Sequence, residues 1–239
     1  MRTLLSSPTA NPKLAKGQSF GVLSAPLHLA PASISGWNVC PMATEGCRAA
    51  CLHTSGNPLH MRGKDKARKE RTAFYFTDRP AFMTQLAKEI AAHERRAIRL
   101  KMRPAIRLNA TSDIPWHRIP YLHHANIMAA FPKVTFYDYT KVHKRFAEPL
   151  PRNYRLTYSW SEKPDAWAIA QVVLDMGGNV AVPFMLNPSA TLPKQWRGYR
   201  VLDGDEHDFR PFDKKGRIVG LRVKGRAGKA DNSGFIVKL

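Results

Sequence analysis

The chain has 239 residues, 44% of them hydrophobic, which suits one large domain with a full core or two small ones. No apolar run approaches the roughly 20 residues that span a bilayer, and the opening Met1-Arg2-Thr3-Leu4-Leu5-Ser6-Ser7-Pro8 has too short an apolar core for a secretory signal. The cytoplasm is therefore the expected compartment, and a membrane partner is not expected. Lys and Arg total 38 against 18 Asp and Glu, a formal net charge of +20. Such a field draws anionic substrates and polyanions, nucleic acid first among them. The basic residues are spread along the chain, so a solvated basic surface is the alternative.

Residues 1–36 are rich in Pro, Ser, Ala and Gly and read as a partly irregular arm, with room for one strand near Phe20-Gly21-Val22-Leu23. The remainder, 37–239, reads as one domain with a cysteine-bearing loop at 38–53. Met61 to Phe76 is predicted as a helix with a basic face of Arg62, Lys64, Lys66, Arg68, Lys69 and Arg71. A second helix follows, with Asp78 as N-cap, Pro80 in the first turn, and Phe82, Leu86 and Ile90 at helical spacing.

Strands and helices then alternate. Strands are predicted at 105–109, 134–138, 154–159, 179–183, 199–203 and 218–223. Helices are predicted at 119–131, near 141–146, and at 164–176, the last stopped by Gly177-Gly178. This alternation argues for βα units and a parallel sheet. Several strands run into polar residues: Asn109 to Asp113, Asp138 to Lys141, Ser159 to Ser161, Asp203 to Asp208, and Lys224. Polar strand ends would line the mouth of a barrel, so the expected fold is α/β, a TIM-like (β/α) barrel, complete or partial, with an open doubly wound sheet as the alternative.

All three cysteines, Cys40, Cys47 and Cys51, fall within twelve positions, spaced C-x6-C-x3-C. Under reducing conditions clustered thiols point to metal or redox use rather than to a structural disulfide. Zinc knuckles use paired C-x2-C ligands, which are absent; a zinc site would need His53 or His60 as fourth ligand. Uneven spacing with Pro41, Gly46 and small alanines suits a loop curled round a [4Fe–4S] cluster with one iron left open. Buried thiols acting as small hydrophobes are the plain alternative. An open iron could act as a Lewis acid or take S-adenosylmethionine. The spacing departs from the radical motif C-x3-C-x2-C at both intervals, and no glycine-rich methionine-binding segment follows, so the sequence does not support S-adenosylmethionine.

The cysteine loop resembles that of the phage gene product 88 family. So do Arg107-Leu108-Asn109-Ala110-Thr111-Ser112-Asp113-Ile114-Pro115-Trp116, Phe136-Tyr137-Asp138-Tyr139-Thr140-Lys141, the segment from Leu202 to Arg210, and Ile218 to Gly225. The resemblance covers most of the chain from residue 36 onward. It implies a phage-encoded protein, an iron–sulfur cluster on the three cysteines, and a barrel similar to that of radical enzymes. It implies no established reaction.

Asn109, Ser112 and Asp113 follow a strand and would contact substrate or cap a turn. In the Asp138-Tyr139-Thr140-Lys141 run, Asp138 and Lys141 are catalytic-site candidates that could bind opposite charges on a substrate, Lys141 as anion binder, with Tyr139 a proton donor or stacking face; a surface salt bridge between Asp138 and Lys141 is the alternative. Asp203-Gly204-Asp205-Glu206-His207-Asp208 is the densest acidic run. Asp203 and Asp205 could bind a divalent cation or serve as bases, or could pair with nearby Arg and Lys, the reading favoured here over a metal. Ser159 and Lys224 complete the candidate substrate contacts. His123 and His124 are adjacent within a predicted helix and do not form a metal-binding pair. The leading expectation is an iron–sulfur enzyme acting on a small anionic molecule. A basic nucleic-acid-binding protein stabilised by zinc or a cluster, and a redox or sensing iron–sulfur protein, are the alternatives.

Overall fold

The structure, a computed structural model, describes residues 3–8, 12–51 and 62–239. In chain order the elements are α1 (Pro12–Gln18), β1 (Val22–Pro26), α2 (Glu45–Ala49), α3 (Arg62–Thr77), α4 (Arg79–Arg99), β2 (Arg103–Arg107), α5 (Ile127–Ala130), β3 (Thr135–Thr140), β4 (Tyr154–Ser159), α6 (Ala166–Asp175), β5 (Asn179–Phe184), β6 (Gln195–Trp196), β7 (Tyr199–Asp203), β8 (Ile218–Arg222) and α7 (Gly225–Lys229). They build one eight-stranded sheet in the order β1-β2-β3-β4-β5-β8-β7-β6. Every pairing is parallel except the β6–β7 hairpin at one edge.

The sheet does not close: β1 and β6 are its two edges, so the closed barrel is corrected to an open sheet. The order of elements along the sequence is the same for both outcomes; only the pairing of the first strand with the last distinguishes them. The doubly wound alternative is not met either, because β1 to β5 are laid down in sequence order. Right-handed crossovers that always advance in one direction put their helices on one face. Ile106, Phe136, Tyr154, Tyr158, Val180 and Ile218 all lie on that face. The first three pack with Phe82, Met83, Leu86 and Ile90 of α4, the others with Ala166, Ala170, Val173 and Leu174 of α6. After β6 at the far edge the chain steps back twice, by the β6–β7 hairpin and then by the parallel β7-to-β8 connection. The same handedness carries it over the opposite face, where Phe209 packs on Val22, Ala105 and Tyr137.

Local sequence explains most element boundaries. Asp78 caps α4 by accepting from Ala81 N at 3.1 Å, with Pro80 in the first turn. Gly177 takes a positive φ of 79°, which ends α6. The strand expected in the N-terminal arm is β1, paired in full register with β2.

The helix predicted over 119–131 is largely absent. Pro120 lies inside it, Leu122 adopts φ 51°, and Tyr121 and His124 form an antiparallel bridge, so the chain turns there instead. Asn126 then caps the four-residue α5 by accepting from Ala129 N at 2.9 Å. His123 and His124 therefore sit in that turn, not on a helix. The helix expected near 141–146 is a 3₁₀ turn over His143–Ala147. Among the described residues no helix is long and apolar enough to cross a membrane.

Candidate metal centre

The segment after β1 rises over the carboxyl edge of the parallel strands. It is pinned there by long-range hydrogen bonds: Asp113 N donates to Val39 O at 2.7 Å, Thr111 Oγ1 to Leu29 O at 2.6 Å, and the Cys40 thiol to Thr111 O at 3.8 Å. Cys47 lies on α2, whose cap Thr44 accepts from Cys47 N at 3.4 Å. Glu162, just past β4, grips the start of this helix. It accepts from Thr44 Oγ1 at 2.6 Å and from Gly46 N at 2.8 Å, satisfying an amide that a helix start leaves open. The C-terminal segment closes the other side. A Cβ on Gly46 would stand 2.0 Å from Ser233 Oγ and 2.7 Å from Phe235 Cβ, so the approach needs glycine.

The three cysteines are half-buried, and none forms a disulfide. Burial pushes the Cys40 thiol up to about 12, and negative charge at Asp113, Cys51 and Cys47 pushes the same way. Burial also raises Cys47, against the pull of Lys141. Thiols in such a place ionise when a positive centre joins them.

Lys141 directly follows β3 at the same edge of the sheet. It is only 8% exposed, and its Nζ donates to the carbonyls of Ser159, at 3.4 Å, and Trp160, and lies 4.7 Å from the Phe235 ring centroid. Burial pulls its pKa down, opposed by negative charge at Cys47, Glu162, Asp113 and Cys40. Lys141 does not pair with Asp138, so the salt bridge weighed for that run is not formed. Ser159 contributes its backbone carbonyl.

Two other candidates brace the edge. Asp113 accepts from Lys141 N at 2.9 Å and from Arg145 Nη1 at 2.5 Å, a buried ion pair that ties the loop after β2 to the loop after β3. Asn109 Oδ1 accepts from Ser112 Oγ, Ile114 N and Trp116 Nε1 at 2.8–3.0 Å, which folds the loop 109–116 on itself. Ser112 is spent in the same bond. Asp138 is sealed on the helix-bearing face, accepting from Asn109 N at 2.6 Å and Tyr154 Oη at 2.9 Å. Burial pushes its carboxyl up to about 7.

Tyr139 points to the opposite face, under the Arg107 guanidinium at 4.6 Å, and burial pushes its phenol up to about 12. Arg107 also makes a two-pronged pair with Asp208 at 2.9 and 3.1 Å. His28 is held down to about 3 by burial and by Arg68, Arg107 and Arg71, with Asp208 opposing.

Asp203, Asp205 and Lys224 are not drawn into this group. Arg222 spans both oxygens of Asp203 at 2.9 and 2.8 Å and reaches Asp205 at 3.3 Å, and Lys224 reaches Asp205 at 3.1 Å. The acidic run thus pairs with local cations, as the sequence favoured.

Among the described residues no three of His, Cys, Asp and Glu converge as ligands of one ion. His53 and His60, the fourth ligands a zinc site would need, lie outside the described residues. Sulfurs sharing one zinc are held close together by bonds of about 2.3 Å, whereas a cubane places each sulfur on a different iron. The three cysteines are the soft donors that a metal or cluster would use, all carried by one loop.

The sequence does not single out Arg145, Glu162 or His28, and it places Arg68 only on a basic helix face. Arg145 and Glu162 act on partners 32 and 116 residues away, and an isolated charged residue carries no local signal of that.

The fold and the site define a class: an open, mostly parallel α/β sheet carrying a three-cysteine loop over its carboxyl edge. Within that class the chain belongs to the Gene product 88 family, whose profile matches residues 3–239. No curated protein and no solved structure matches it.

Proposed function

We propose that this chain is a phage-encoded iron–sulfur protein of the host cytoplasm, binding a [4Fe–4S] cluster through Cys40, Cys47 and Cys51 with one iron left open. We read it as an enzyme acting on a small anionic molecule. The observation that carries this reading is the grouping of three half-buried thiols, free of disulfides, with buried Lys141 at the carboxyl edge of the strands. Catalytic groups gather at that edge in parallel α/β folds.

When bound, such a cluster supplies a redox-active and Lewis-acidic centre. The chain's own residues do the rest. Glu162 and Gly46 fix the Cys47 turn against the C-terminal segment. The Asp113–Arg145 pair sets the height of the loops under Cys40. Arg68, Arg71 and Arg107 around His28 give the field that would attract an anion.

Purification without oxygen, followed by iron, acid-labile sulfide and visible spectroscopy, tests this. The reading expects brown protein with about four irons and four sulfides per chain. A colourless chain holding one zinc would overturn it.

A nucleic-acid-binding reading keeps support from the net charge of +20 and from exposed Lys64, Lys66 and Lys69 on α3. Its mark would be affinity for nucleic acid that falls steeply with salt.

A further inference from the structure

The β6–β7 hairpin interleaves basic and aromatic residues: Lys194-Gln195-Trp196-Arg197-Gly198-Tyr199-Arg200. Its two turn residues, Arg197 at φ 49° and Gly198 at φ 86°, are both left-handed. Such a tight turn favours Asn, Asp or Gly at the first position, so arginine there stands on tertiary contacts. Its guanidinium lies 4.8 Å from the Trp167 ring centroid and 5.0 Å from that of Trp196, and among the described residues no carboxylate forms an ion pair with it. Trp196 in turn packs T-shaped against Trp160 and Trp167, with centroids 5.5 and 5.4 Å away.

Between this hairpin and the C-terminal segment lies an open cavity of about 300 Å³, lined by Trp160, Trp196 and Arg197 and, from the C-terminal segment, by Asp231, Asn232 and Lys238. That volume is at the lower end for small-ligand pockets. Asp231 offers no spare carboxylate, since Oδ1 accepts from Ser233 Oγ at 2.6 Å and Oδ2 from Ile236 N at 2.9 Å. Lys238 Nζ reaches Asn232 Oδ1 at 3.3 Å and pairs with no carboxylate among the described residues. Trp160, only 7% exposed, has an indole N–H with no hydrogen-bond partner among the described residues, a donor open to a ligand's acceptor. Two indoles, that donor and two cations suit a flat ring that carries acceptors and is joined to an anion. A cationic ligand would be repelled, and a neutral sugar would leave the cations unused. We propose that the cavity takes a base of single-stranded nucleic acid, with the ring against Trp160 and Trp196 and the flanking phosphates on Arg197, Lys238 and the exposed Lys194. A duplex keeps its bases stacked and paired, so a single strand is the form that can offer one. This deepens the nucleic-acid reading above and does not depend on the cluster.

The test titrates the full chain at low salt with oligothymidylate, alone and as its duplex with oligodeoxyadenylate, and follows tryptophan emission. The single strand is expected to quench the emission and to bind more tightly than the duplex. Arg197→Gly suits the left-handed turn and is expected to keep the circular dichroism spectrum. It should weaken single-strand binding about five- to tenfold, and Lys238→Gln, at an exposed position, should weaken it in the same direction. Replacing Lys64, Lys66 and Lys69 of α3 together by Ala should leave the quench in place. Arg197→Gly and Lys238→Gln chains that bind as wild type, while the α3 variant loses binding, would overturn the inference and leave the nucleic-acid reading standing on α3. Quenching by a neutral oligosaccharide and not by the oligonucleotide would overturn it as well. A wild-type chain that binds neither strand form overturns the nucleic-acid reading itself.

Discussion

Two ends of the same sheet edge handle charge in opposite ways. At β7 and β8, Asp203, Asp205, Arg222 and Lys224 satisfy one another, and the group is partly open to solvent. At β1 to β4 lie half-buried thiols and the buried Lys141, whose partners among the described residues are two carbonyls and a ring. The first arrangement is complete as it stands. The second would be balanced by thiols ionised around the metal centre proposed above. Density of charged residues in sequence does not by itself mark a site, since the acidic run is paired off by Arg222 and Lys224.

Substitutions that act on one end and spare the other sharpen the contrast. The largest effect is expected from Cys47→Ser. It should abolish iron and sulfide binding while the circular dichroism spectrum is kept, because no disulfide is lost. Arg145→Met should come next. It strands the Asp113 carboxylate in a buried place, an expected loss of about 3–5 kcal/mol in urea unfolding, with weaker cluster loading because the loop under Cys40 loosens.

Asp138 gives a pH signature. Its ordinary value is 3.8, and burial holds it at about 7 in the folded chain. Between those values the unfolded chain releases the proton while the folded chain keeps it. The contribution of Asp138 to stability is therefore full below about pH 4 and is lost as pH rises through about 7. Asp138→Asn should flatten that part of the pH–stability curve, measured by urea midpoints from pH 4 to pH 8. A slope unchanged by the substitution would contradict the assignment.

The smallest effect is expected at the balanced end. Asp203→Asn with Asp205→Asn should change stability by about 1 kcal/mol or less and leave iron content unchanged, since these pairs are partly solvated. Loss of iron in this double variant would bring the acidic run into the centre and break the contrast.

Much of the sheet was legible. Tyr154–Ser159 and Tyr199–Asp203 fall where the apolar, β-branched and aromatic runs put them, and Asp78 and Gly177 mark helix limits by local chemistry alone. The segment 119–131 misled because Ile119, Leu122, Ile127 and Met128 mimic helical spacing, while Pro120 and the left-handed Leu122 turn the chain. Closure of the sheet was not legible, because it depends on whether two strands far apart in sequence meet. The cysteines cluster in sequence, but among the described residues no three ligands converge on one ion. The burial of Lys141, the grip of Glu162 and the bracing by Arg145 are tertiary facts, and the sequence offers a lone charged residue at each.

Mössbauer spectroscopy of anaerobically purified chain grown on enriched iron tests the central claim most directly. The account predicts the spectrum of a cubane with about three iron sites alike and one distinct, lost together in Cys47→Ser. A spectrum of loosely bound mononuclear iron, or one that survives Cys47→Ser unchanged, would contradict it.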